Sequence, residues 1–235
     1  MMEFGGAKMG VRRKLNGALL ALALCAGTAL AFGGQATAAS VTPAAPPATP
    51  ITLKDGPDTR KITRLEAGKD SKHPVQTEGL LRWSVVRDTT AGADKPVVVL
   101  QAEAMFPDHR GDFRLWLAPN LDTSLSASHI AQIRFVPPST ASVDQVAGLI
   151  SKTEARLSGQ AMVGAAAKIT AGYFWLAFAD PIKGRLKAQW TTQRWIDMPT
   201  VFDKDKPAIF TLEKPLAEPA VTEAFDAWSP VKPIP

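Results

Sequence analysis

Beyond its first 39 residues the chain contains no cysteine; its single one, Cys25, lies in the leading apolar run. Disulfides, a thiolate nucleophile and cysteine metal sites are therefore excluded from the remainder. Histidine is scarce too. His73, His109 and His129 stand 36 and 20 residues apart, without an H-x-x-H or H-E-x-x-H spacing. No metal site or cofactor is expected from that pattern. The nucleophile-elbow sequence G-x-S-x-G, the phosphate-cradling P-loop and G-x-G-x-x-G are all missing, so the chemistries they serve have no support here.

Charge of one sign is lacking as well. Setting aside Lys8, Arg12, Arg13, Lys14 and Glu3 reduces 27 basic and 22 acidic residues to 23 and 21. The overall charge of +5 thus falls to +2, with both signs interspersed. A nucleic-acid binder needs a clustered basic face, and no such partner is expected.

What the chain does have begins with residues 1–39, which read as a signal peptide. Arg12, Arg13 and Lys14 precede the apolar run from Leu15 to Phe32, and the small-residue exit Ala36-Thr37-Ala38 follows. A basic region, an apolar region and an A-x-A site describe export with cleavage before Ala39 or Ser40. The expected location is periplasmic or secreted. The apolar run exceeds the usual span of roughly 7–15 residues, so an uncleaved inner-membrane anchor is the alternative. Leu24 before Cys25 argues against a lipoprotein.

Residues 40–74 read as a Pro/Ala-rich linker and an irregular lead-in with room for one short strand. Residues 75–229 read as one β-rich domain, followed by a Pro-rich tail at 230–235. Leu81, Trp83 and Val85 alternate with polar neighbours, as do Phe113, Leu115 and Leu117, and Ala131, Ile133 and Phe135. Such a period of two marks strands. Ala171-Gly172 joins two apolar runs as a hairpin turn, and residues 203–207 join another pair. Segment 143–152 fits a helix or a strand. Asp180-Pro181 and Glu218-Pro219 each open a helix. The expected fold is mainly β or α+β: an antiparallel sandwich or half-open barrel of seven or eight strands with two peripheral helices.

Five residues stand out as binding candidates. Glu103 lies within an apolar strand, where it either occupies the wet face or, facing a cleft, gains a raised pKa suited to acid catalysis. Asp108 and His109 share a loop, the usual carrier of function. Trp116 points away from Phe113 and Leu115, beside Arg114, and offers an aromatic platform. Catalytic residues are not identified. Arg110-Gly111-Asp112 matches an adhesion tripeptide but also describes a turn.

The segments FRLWLAPNLDTSLSASHIAQIRF, AAAKITAGYFWLAF, WIDMPTVF and AIFTLEK resemble a family of exported alphaproteobacterial β-rich proteins. The resemblance implies an envelope location, a β-rich fold and a non-helical segment 143–152. It implies no activity, cofactor or catalytic residue. The expected function is a non-enzymatic envelope module that binds a protein partner or an envelope polymer. The alternatives are a carboxylate-based hydrolase or glycan-processing enzyme, and a membrane-tethered assembly factor.

Overall fold

A computed structural model describes residues 45–68, 74–89, 96–122, 124–137, 142–155, 158–180 and 184–228. The signal, His73 and the closing tail lie outside the described residues. The strands in chain order are β1 (Thr59–Glu66), β2 (Val75–Asp88), β3 (Val97–Met105), β4 (Phe113–Pro119), β5 (His129–Phe135) and β6 (Val143–Val146). They continue with β7 (Ile150–Lys152), β8 (Gln160–Ala161), β9 (Gly164–Thr170), β10 (Tyr173–Phe178), β11 (Trp195–Phe202) and β12 (Lys206–Glu213). Helix α1 (Arg185–Thr192) precedes β11, and α2 (Pro219–Ala227) follows β12.

All the strands join one antiparallel sheet in the order β8-β7-β11-β12-β1-β2-β3-β4-β5-β10-β9, with β6 also on β11. Only Met162 and Val163 separate its terminal strands, β8 and β9, in the chain. The sheet therefore curls into a half-barrel. The expected seven or eight strands become twelve, for two reasons. The lead-in contributes β1, which lies between β12 and β2. Segment 143–161 divides into three short strands, because Gly148 takes φ 146° and separates β6 from β7. No helix forms at 143–152.

Alternation decides what faces inward. Register aligns Leu81 with Ala104, Ala104 with Phe113, Phe113 with Phe135, and Ile133 with Phe174. These side chains meet Phe202 and Phe210 in the core, where Phe135 lies 6.3 and 6.0 Å from those two rings. Trp190 of α1 packs edge-on against Trp83 at 5.9 Å and beside Phe225 of α2 at 6.4 Å. Helix α1 begins beyond Gly184 (φ 86°), later than Pro181. Its cap residue is Gly184 rather than Asp180, whose carboxylate nevertheless accepts from the Gly184 and Leu186 amides at 2.9 and 3.4 Å. The side chain thus supplies acceptors for N–H groups that have no partner within a first helical turn.

Candidate functional site

The five candidate residues fall into two separate constellations. Glu103, Arg114 and Trp116 occupy the outward face of β3 and β4, in step with Gln101 and opposite the aromatic core. Arg82, Glu103 and Arg114 are cross-strand neighbours in one row. The Glu103 carboxylate accepts from Arg82 and, at 2.9 Å, from Arg114 Nε. Glu103 is buried, yet it lies between two guanidiniums rather than in a cleft. Arg114 also reaches outward. Its Nη1 donates to the carbonyls of Pro47 and Thr49 at 2.9 and 2.6 Å.

Trp116 is 9% exposed, packed with Val97, Val99 and Ala118. Its indole N–H donates to Gln101 Oε1 at 2.6 Å. The ring therefore presents little surface to a ligand.

Asp108 and His109 lie in the tight β3–β4 loop. Asp112, buried there, accepts from the Phe106 amide at 2.7 Å and contacts His109 Nδ1 at 2.9 Å. Gly111 turns the chain at φ 89°, and a Cβ there would lie 2.8 Å from Phe210. Arg64, inward on β1, binds Asp108 at 2.6 Å, Glu66 at 2.8 Å and the Arg110 carbonyl. Its guanidinium beside Asp108 holds that carboxyl below its ordinary value. Arg110 closes the network through Glu66 at 2.7 Å and Asp203 at 3.3 Å. With Asp112 buried, Arg110-Gly111-Asp112 is not displayed as an adhesion loop. This network braces loops.

His129 faces inward under α2, with ring centroids 6.0 Å from Phe225 and 5.4 Å from Trp228. Burial lowers its pKa, against the raising influence of Asp180. The neighbouring Ser128 hydroxyl contacts His129 Nδ1 at 3.0 Å and donates to the Phe178 carbonyl at 3.1 Å. Among the described residues no group of three metal-ligating side chains converges.

A separate concave surface lies elsewhere. A groove of about 610 Å³ runs between segment 55–59 and β1, β2 and the end of β3. Leu80, Met105 and Pro107 provide apolar lining; Asp55, Arg60, Lys61, Glu78 and Glu213 provide charge of both signs. Lys61 and Glu78 form a highly exposed pair at 3.9 Å. Sequence reasoning did not find this groove, because its principal strand lies in the stretch read as an irregular lead-in. The sequence carries little signal for it, since Ile62 is the one apolar residue in the row Arg60, Ile62, Arg64 and Glu66.

No protein-family model, curated protein or solved structure matches the chain.

Proposed function

We propose that this chain is an exported envelope protein, periplasmic or secreted, whose half-barrel binds a protein partner or an envelope polymer without catalysing a reaction. The observation that carries the reading is the open groove on β1 and β2. Its volume of about 610 Å³ falls within the range of roughly 300–1,000 Å³ typical of ligand sites. Its mixture of apolar lining and rim charges suits an amphipathic chain segment better than a purely apolar molecule. The basic and apolar segments preceding Ala36-Thr37-Ala38 support export,.

The carboxylate-enzyme reading is the weaker one. Glu103 and Asp108, its two carboxylates, are each bound by arginine, in different constellations. The Arg64 guanidinium holds the Asp108 carboxyl below its ordinary value, which suits a general acid poorly,. The tethered form of the module requires an uncleaved signal. No helix among the described residues is long and apolar enough to cross a membrane.

Cross-linking in intact cells, followed by recovery of covalent adducts from the envelope fraction, tests the binding role. A single reproducible protein or polymer adduct, diminished in the Lys61→Glu variant, supports it. A protein recovered without adducts contradicts it. Determination of the mature N-terminus separates release, at Ala39 or Ser40, from tethering, at Met1 or Met2.

A further inference from the structure

Residues 45–53 form an arm laid along the outer face of the sheet, fastened by two different devices. The first is Arg114, whose side chain is buried and already paired with Glu103. Its Nη1 takes the carbonyls of Pro47 and Thr49. Carbonyls two residues apart in an extended chain point the same way, so one nitrogen meets both. Pro47, Ala48, Thr49 and Pro50 are themselves exposed. This stretch is held through its main chain, with little demand on its side chains.

The second device is apolar. Ile51 and Leu53 are 4% and 6% exposed, packed with Val136, Leu80 and Met105. The Leu53 amide also points at Met105 Sδ, 3.4 Å away. Between this anchor and β1, every residue from Lys54 to Asp58 is exposed. That connection carries a Gly56-Pro57 turn held by local bonds: Thr59 Oγ1 accepts from the Gly56 amide and donates to the Gly56 carbonyl, both at 2.9 Å. It buries nothing that swinging the arm outward would expose.

We propose that the outer face of β2–β4, with Val136 just beyond β5, is an exchangeable docking track, and that its occupant in trans is the same arm, residues 45–53, of a second copy of this chain. The track already fits this segment, through two carbonyls and the buried side chains of Pro46, Ile51 and Leu53. An exchanged arm regains the same contacts on its partner, so the balance is set by association entropy and the hinge, as in domain swapping. Asp55, in the hinge, lines the groove beside Leu80 and Met105, so swinging the hinge remodels one wall of the groove. The inference stands whether or not the groove takes an envelope ligand.

The lack of cysteine downstream of Cys25 makes the test clean. Leu53→Cys is placed in one tagged mature copy and Met105→Cys in another. The two are mixed, incubated with a mild denaturant, returned to buffer and oxidised. Exchange predicts a disulfide-linked heterodimer whose yield rises with concentration, several-fold above Leu53→Cys copies alone. A chain carrying both substitutions, oxidised when dilute, gives the intramolecular bond and confirms the docked arm. That bond forming while the mixture yields no excess heterodimer overturns the proposal, as does failure of the bond itself. Deleting Gly56 and Pro57 shortens the hinge and is expected to raise the dimer fraction several-fold in sedimentation; an unchanged monomer also counts against exchange.

Discussion

Lys214 has no exposed surface, and its ammonium makes one long contact, 3.5 Å, to the Pro215 carbonyl. Burial draws its pKa down from 10.5 to about 8, against the raising influence of Glu218. Between those values the unfolded chain holds more protons than the folded one, so stability rises with pH across the interval. The linked gain reaches up to about 3 kcal/mol. Urea midpoints measured from pH 7 to 11 are expected to show that rise, and Lys214→Met to flatten it while adding about 1–3 kcal/mol at pH 7. Arg64 behaves oppositely, because its buried guanidinium has partners. Arg64→Met leaves Glu66 to Arg110 and Asp108 to the Arg110 amide, at an expected cost of about 2–4 kcal/mol in thermal unfolding. Neither cation stands out in the sequence. Arg64 occupies an inward position of TRKITRLE, and only the fold reveals that it is enclosed. Glu103, Arg114 and Asp108 were legible as polar groups in structured surroundings; their ion pairs were not, since each depends on cross-strand register or loop closure.

The long strands were legible because apolar residues recur with period two in β2, β4 and β5. The apolar β10 was legible through its hairpin turn. Strand β1 was harder. Arg60, Arg64 and Glu66 fall on the same alternation as inward Ile62 and mask its apolar face. Strands β6 to β8 are too short for periodicity to separate, and the positive φ of Gly148 divides them. Helix α2 starts at Pro219 as its Glu-Pro signal predicts. The turn before it holds Ala217 at φ 57°, where a Cβ is strained and glycine is not. Ala217→Gly is expected to stabilise the protein by about 0.5 kcal/mol, the relieved strain slightly exceeding the added freedom of the unfolded chain. A lower melting temperature for this variant contradicts the turn geometry.

For the whole molecule, the sheet order had no signature in the sequence. It brings β12, near the end of the chain, against β1, near its start, with Ile62 opposite Leu212. That long-range pairing brings Glu213 alongside Lys61, whose amide it accepts from at 3.3 Å, and so helps form the groove. Local patterns cannot show a surface assembled in this way. The central claim is that this groove, rather than an exposed strand elsewhere, meets the partner. It is tested most directly by placing a photo-cross-linking residue at Lys61 or at Thr170, which is exposed on β9, and irradiating intact cells. The account predicts a discrete adduct from position 61 that is absent from position 170. No adduct from position 61, or the same adducts from both, contradicts it.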